Sequence, residues 1–246
     1  MNLRTDYGCD RMIAVINAKL SYRFVMIAAL FVTCFITANI IAVKIIGFRN
    51  IILPAAVIVF PFSYIFGDIL TEVYGYRQAR SIIWLGFLCN LIFVFFAWIA
   101  QIIPPFPAWG NQTAYETILG YTPRLLAASF AGYLVGEFCN SYVLARMKVI
   151  TKGKWLWSRT IGSTIVGEGI DTAIFLTGAY LGQPFFTPML ILYHWVAKVG
   201  IEVLATPLTY KVVNSLKKAE GIDTYDIQTY FNPLHFRDKE PKSAVK

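Results

Sequence analysis

Two uninterrupted apolar runs constrain this chain more than any other feature of its sequence. Residues 24–43 and 81–103 contain no Asp, Glu, Lys or Arg. About 20 such residues are needed for a helix to cross a hydrocarbon core of about 30 Å, so both runs predict transmembrane helices. The composition agrees, because 15% of the residues are charged, whereas a soluble domain averages about 25%.

Four further segments are apolar but carry one to three charged residues each: residues 51–70, 124–145, 160–181 and 188–212. If all six segments cross the membrane, 18 of the 22 basic residues fall on one side. Lys and Arg accumulate in the cytoplasmic loops of membrane proteins. We therefore predict an all-α integral membrane protein, a bundle of six transmembrane helices with both termini in the cytoplasm.

The charge pattern also divides the chain. We predict a cytoplasmic N-terminal segment at residues 1–23, a six-helix transmembrane domain at residues 24–213 and a cytoplasmic polar tail at residues 214–246. Pro54 and Pro61 predict kinks in the second span. The net charge of +8 follows from membrane orientation, so no nucleic-acid partner is expected.

Six ionisable residues fall within or near the predicted spans, where each costs about 2.5–3.5 kcal/mol at mid-bilayer. They are Asp68, Glu137, Glu168, Asp171, Lys198 and Glu202. Glu168 and Asp171 lie about one helical turn apart on the same face. They repel each other unless a cation, a proton or a donor-rich ligand joins them, so we predict a functional role for this pair.

Other polar residues recur at helical spacing and predict polar stripes inside the bundle. The members are Asn39 on span one, Asp68 and Glu72 on span two, Glu137 and Asn140 on span four, and His194, Lys198 and Glu202 on span six.

Structural roles for the same residues remain open. Lys198 and Glu202 can form an intrahelical ion pair, and Asn39 and Asn140 can be interhelical hydrogen-bond partners. Glu72 can pair with Arg77 or Arg80, and His194 can be an interfacial residue beside Tyr193 and Trp195.

The sequence lacks the motifs of several common kinds of enzyme and metal site. Neither a phosphate-binding GxxxxGK[ST] loop nor a zinc-binding HExxH motif occurs. Gly67-Asp68 lacks the preceding glycine of an intramembrane aspartyl protease. The four cysteines, Cys9, Cys34, Cys89 and Cys139, have no metal-binding spacing and are expected to be buried free thiols. We therefore predict a transporter without cofactor or metal rather than an enzyme.

Several short motifs lie within residues 24–213. The most specific is Asp-Ile-Leu-Thr-Glu-Val-Tyr-Gly at residues 68–75, and others occupy residues 38–44, 61–64 and 136–141. Further matches are Arg77 through Arg80, Arg124 with Ala128-Ser129, and Arg159-Thr160 with Ser163, Glu168 and Asp171. Together these motifs resemble the queuosine precursor transporter family, placed among the vitamin uptake transporters.

The resemblance implies a multi-pass importer in the bacterial inner membrane that takes up 7-deazaguanines such as preQ0 and preQ1, with queuine as a further candidate, for tRNA modification. The expected partners are this small molecule and the lipid bilayer, and self-association is left open. A carboxylate can accept two N–H groups from a guanine-like edge. The aminomethyl cation of preQ1 would then require a second carboxylate.

This chemistry assigns expected roles to the polar residues. We expect Glu168, Asp171 and Glu137 to read the base, with further polar contacts from Asn39 and Asn140. Asp68 is expected to gate the route or carry a proton. The remaining gating or proton-coupling candidates are Glu72, Lys198, Glu202 and His194.

Two other functions stay open. The first is a substrate-binding subunit of an energy-coupling-factor transporter, for which Ala38 and Ala42 offer a small-residue docking face. The second is a membrane enzyme or regulatory protein. The energy source of transport is also open.

Overall fold

The computed structural model of the protein describes residues 21–48, 51–120, 123–184, 186–227 and 229–234. Three parts of the sequence prediction lie outside the described residues: most of the N-terminal segment with Cys9, Arg49, and the tail from residue 235 onward. Within the described part, seven α-helices form a bundle. They are α1 Tyr22–Ile41, α2 Phe60–Tyr74, α3 Tyr76–Ile102, α4 Gln112–Leu119, α5 Pro123–Ile150, α6 Leu156–Tyr180 and α7 Pro188–Glu220.

The predicted second span differs from the observed structure. Strands β1 Ile45–Phe48 and β2 Ile51–Pro54 pair antiparallel, and a 3-10 turn at Ala55–Ile58 leads into α2. The expectation of one helix over residues 51–70 is therefore wrong. Pro54 ends a strand, and Pro61 lies in the first turn of α2, where proline's missing N–H costs nothing, so neither proline kinks a helix.

The bundle has a polar interior and an apolar exterior. Eleven charged or imidazole side chains on its helices are at most 3% exposed, whereas Phe96 on α3 and Leu204 on α7 are 62% and 82% exposed. Helices α1, α3 and α7 are long and apolar enough to cross a membrane. These are the features of a multi-pass membrane protein, and the predominantly helical fold is confirmed apart from the two strands.

Glycines let three helices approach each other closely. A Cβ atom on Gly136 of α5 would lie 2.6 Å from the Cβ of Asp171 and 2.9 Å from the carbonyl oxygen of Gly167 on α6. A Cβ atom on Gly67 of α2 would overlap the carboxylate of Glu137. Each of these glycines precedes a buried acid, so the close contact and the polar interior arise from the same dipeptides.

The chain beyond α7 packs back onto the bundle. Helix α7 continues to Glu220 and ends at Gly221, whose φ of +65° favours glycine. Residues 221–227 and 229–234, together called the tail segment, then cross the start of α3. Asp226 accepts a hydrogen bond from the Tyr76 amide at 3.0 Å, and the Trp84 indole donates to the Pro233 carbonyl at 2.9 Å. The tail segment therefore covers one end of the bundle.

The three cysteines in the described part, Cys34, Cys89 and Cys139, are free thiols. They are half-buried rather than buried as expected, because each lies on a helix flank that also contributes to the apolar exterior.

Candidate functional site

A cavity of about 340 Å³, measured with its mouth, lies where α1 ends and α2 and α7 begin. Its polar lining consists of Asn39, Ser129, Asp171, His194 and Lys198, and its apolar lining of Ala38, Ala42, Ala56, Phe60 and Phe175. The combination of two aromatic rings with a few polar groups is typical of a site for a planar polar molecule.

One lysine joins the two acids that share a face of α6. Lys198 Nζ lies 2.6 Å from Glu168 Oε2 and 2.8 Å from Asp171 Oδ2, and 4.0 Å from the centre of the Phe60 ring. We call Glu168, Asp171 and Lys198 the cavity cluster. The chain itself thus supplies a cation between the acids, and the alternative of an intrahelical Lys198–Glu202 pair is wrong.

Two further sequence candidates, Asn39 and His194, also line the cavity. Ser129 donates to Asn39 Oδ1 at 2.6 Å, and the Asn39 amide donates to the Phe35 carbonyl at 3.0 Å. His194 is 2% exposed, so the interfacial alternative is wrong. Its Nδ1 has no hydrogen-bond partner in the described part of the chain.

We call Asp68, Glu137 and Glu202 the mid-bundle carboxyls, because they are buried and belong neither to the cavity lining nor to the cavity cluster. Asn140 donates to Asp68 Oδ1 at 2.7 Å. Among the described residues, neither carboxyl oxygen of Glu137 or Glu202 has a hydrogen-bond partner. The expected base-reading set is therefore divided, because Glu137 and Asn140 lie apart from the cavity that Asp171 and Asn39 line.

The other sequence candidate, Glu72, belongs to a separate ion network. Arg159 donates to its two oxygens at 2.6 and 3.2 Å, and Lys217 donates at 2.6 Å. Lys148 lies 3.4 Å from Glu72 and 2.6 Å from Asp223 of the tail segment. We call Glu72, Lys148, Arg159, Lys217 and Asp223 the Glu72 network. The expected pairing of Glu72 with Arg77 or Arg80 is wrong.

Asp223 is the exposed member of this network. Partial burial opposes its ionisation, but hydrogen bonds from Lys148 and Lys217 outweigh that effect and hold the pKa of the Asp223 carboxyl below its ordinary value. Lys148 also donates to the backbone carbonyls of Glu72 and Thr224. The network therefore joins the ends of α2, α5, α6 and α7 to the tail segment.

A stripe along α2 connects the two sites. Phe60, Tyr64, Asp68 and Glu72 follow at four-residue intervals, so they share one face over about 18 Å. The sequence pattern had indicated only the last two. Extending the same spacing backwards identifies Phe60 and Tyr64. Ser129 falls within one of the family motifs, whereas Phe175 carries no sequence signal. The sequence places Lys148, Arg159 and Lys217 among the loop and tail charges, so it does not predict their part in the Glu72 network.

Among the residues described, no group of His, Cys, Asp or Glu is arranged to hold a metal ion. This arrangement can contact a small polar molecule through its aromatic rings and exchange hydrogen bonds or a cation with it at Asp171 and Lys198.

A family model described as "Putative vitamin uptake transporter" matches residues 54–212. The match includes the cavity cluster, the mid-bundle carboxyls and most of the Glu72 network. The chain belongs to this family. This is a family of transporters rather than enzymes, which is the class of protein that the sequence predicted.

Curated relatives of this chain have consistent names. A "Probable queuosine precursor transporter" of Bacillus subtilis (strain 168) is 30% identical over 149 residues, which are 58% of this chain and 64% of the relative. The "Queuosine precursor transporter" of Escherichia coli (strain K12) is 23% identical over 157 residues, 64% of this chain and 65% of the relative. These names confirm the family resemblance.

A third relative, a "Probable queuosine precursor transporter" of Haemophilus influenzae, is 26% identical over 143 residues, 57% of this chain and 56% of the relative. The chain therefore spans less than two thirds of the length of each of these relatives. No solved structure matches this chain.

Proposed function

We propose that this protein imports queuosine precursors, the 7-deazaguanines preQ0 and preQ1 with queuine as a further candidate. The observation that carries the proposal is the cavity whose polar lining includes Asp171 and Lys198 and whose aromatic lining includes Phe60 and Phe175. The names of the relatives support the substrate class.

The proposed contacts follow from the cavity lining. The Asp171 carboxylate accepts N–H groups from the guanine-like edge of the ligand, because charge-assisted bidentate hydrogen bonds are the strong ones. Phe60 and Phe175 stack on the planar ring, and Asn39 supplies a further polar contact. Glu168 acts through Lys198. The ligand then meets a second group of polar side chains on its route through the bundle: Glu137, Asn140 and Asp68.

The proposed orientation rests on the two ends of α2. The Glu72 network contains Lys148, Arg159 and Lys217, which the distribution of basic residues assigns to the cytoplasm. The cavity lies about 18 Å away along α2, so it opens to the outside of the inner membrane. Six spans and cytoplasmic termini complete the proposal. With 15 residues, α2 covers only about 22 Å, and the buried 3-10 turn completes that span.

Uptake of labelled preQ0 and preQ1 by cells that cannot synthesise them tests this proposal. We expect Asp171→Asn and Glu168→Gln to reduce the initial uptake rate at least about tenfold, since each removes a charged partner. Glu116→Gln, the same chemical change on the exposed helix α4, is the matched control. Full uptake by both cluster variants at normal protein levels would sink the assignment of the site.

A second measurement separates the proposal from its rivals. Purified protein alone in vesicles should accumulate the labelled precursor and release it chemically unchanged. A strict requirement for separate ATPase subunits would favour an energy-coupling-factor subunit, and a modified product would indicate an enzyme. Collapsing the pH gradient across the vesicle then tests whether a proton drives uptake.

A further inference from the structure

We propose that Lys198 is an exchangeable counter-ion: a planar ligand carrying a primary ammonium displaces it from Glu168 and Asp171, and Lys198 then pairs with Glu202. A neutral ligand of the same shape binds without this exchange. The inference rests on the proposed function and deepens it, because it assigns the cationic members of the substrate class to a distinct binding mode.

The present position of Lys198 has the contacts that a ligand ammonium requires. Its Nζ lies within 2.8 Å of two carboxylates and 4.0 Å from the centre of the Phe60 ring. Carboxylates and an aromatic face are the groups that bind organic ammonium ions. The lysine and the Phe60 ring both line the cavity, so a ligand bound there competes with Lys198 directly.

Glu202 provides a second position for the same lysine. It lies four residues further along α7, on the same face and about 6 Å along the helix axis from Lys198. Glu202 is 1% exposed, and in the part of the chain that the structure describes neither of its carboxyl oxygens has a hydrogen-bond partner. A lysine with its flexible four-carbon stem can reach either position.

The exchange preserves charge balance at the cavity cluster. A ligand ammonium replaces the lysine ammonium between Glu168 and Asp171, so the two acids keep one cation. The displaced Lys198 meets Glu202, which otherwise has no counter-ion among the described residues. His194, one turn before Lys198 on α7, provides no negative charge. Movement of the Lys198 ammonium toward the cavity mouth is therefore unfavourable. The movement therefore carries one positive charge from the cavity into the mid-bundle region.

Equilibrium binding to the purified protein tests this exchange. The quantity is the affinity for preQ1, whose side chain is an ammonium, divided by the affinity for preQ0, whose nitrile is neutral. Glu202→Gln removes the second position and should lower this ratio about tenfold or more, the effect of losing a charged hydrogen bond. Lys198→Met removes the competitor and should raise the ratio by a similar factor.

Opposite shifts from two residues one turn apart distinguish exchange from a merely structural role. Elution of each variant as a folded species in detergent is the check on folding, and Glu116→Gln on α4 is the control that should leave the ratio unchanged. Equal shifts in the same direction, or changes below about threefold, would overturn the inference while leaving preQ0 and preQ1 as ligands.

Benzylammonium and benzyl alcohol, measured by thermal shift on the same three variants, separate failure of the inference from failure of the proposed function. If neither 7-deazaguanine binds but the benzyl pair shows the opposite shifts, the exchange stands and the substrate assignment falls. If the benzyl pair shows no opposite shifts either, both fall.

Discussion

The cavity cluster and the Glu72 network are both buried ion networks, but they balance charge differently. In the cavity cluster two carboxylates share one ammonium, and three mid-bundle carboxyls lie deeper in the bundle. In the Glu72 network three cations share two carboxylates, and Lys148 also donates hydrogen bonds to two backbone carbonyls. One region has an excess of acid, and the other an excess of base.

This difference determines which network can change. An arginine cannot lose its proton in a protein, so Arg159 requires the Glu72 carboxylate at all times. A carboxyl can be neutralised by a proton or by another cation, so Glu168 and Asp171 tolerate exchange of their partner. The Glu72 network is therefore a permanent tie between helices, whereas the cavity cluster is suited to binding and release.

The largest expected effect comes from breaking the permanent tie. Glu72→Ala leaves Arg159 buried without a carboxylate, and removing one partner of a buried ion pair costs about 3–5 kcal/mol. We expect the free energy of unfolding in detergent to fall by that amount and the folded yield to collapse. Lys217→Met removes a partner that is 20% exposed and should cost less. A loss below about 1 kcal/mol in Glu72→Ala would show that the network is not structural.

Breaking the cavity cluster should destabilise the protein less. Lys198→Met leaves Glu168 and Asp171 without their cation, but protons can neutralise them, so we expect a cost of about 1–3 kcal/mol, that of an unsatisfied buried group. The same unfolding measurement provides the comparison. If Lys198→Met proved more destabilising than Glu72→Ala, the proposed contrast between an exchangeable and a permanent network would be reversed.

A smaller effect is expected where the tail segment meets α3. Asp226 accepts from the Tyr76 amide and from the Thr229 hydroxyl, so it caps the N-terminus of this helix. Asp226→Ala should cost about 0.5–2 kcal/mol, as for other caps, and should accelerate proteolysis within the tail segment. Asp226→Asn keeps a capping oxygen and is the control. Unchanged proteolysis in Asp226→Ala would mean that the Glu72 network alone holds this end closed.

The smallest effect concerns Asp223, whose side chain is 42% exposed. Because its folded pKa lies below the ordinary value of 3.8, its ionised form stabilises the fold above that pH, and this contribution is lost as the pH falls through the folded pKa. Asp223→Asn should therefore melt slightly below wild type at pH 7, and the difference should vanish well below pH 3.8. A difference that persists there would assign the effect to something other than charge.

Much of the helical architecture follows from the sequence. The uncharged runs at residues 24–43 and 81–103 correspond to α1 and α3 within a few residues. The sequence wrongly predicts one helix over residues 51–70, because an apolar run does not distinguish a hairpin and 3-10 turn from a helix. The sequence signal for the break is Pro54 followed by Pro61, which predict kinks if the segment is one helix but here mark the boundary of α2.

The candidate site, too, could be predicted from the sequence only in part. Helical spacing correctly placed Glu168 with Asp171 on one face, and His194, Lys198 and Glu202 on one buried stripe. It did not indicate the aromatic lining from Phe60 and Phe175. These residues resemble every other apolar residue in a membrane span, and only the cavity between α1, α2, α6 and α7 distinguishes them.

By itself, the sequence determined which residues are polar in an apolar chain and which of them share a helix face, because the helical repeat is a local property. Only the tertiary structure decided their partners. Glu72 pairs with Arg159, 87 residues away, and Lys198 pairs across to α6 rather than with Glu202 on its own helix. The physical reason is that an ion pair depends on which helices pack together and on the height at which their side chains meet, and no spacing within one helix contains either quantity.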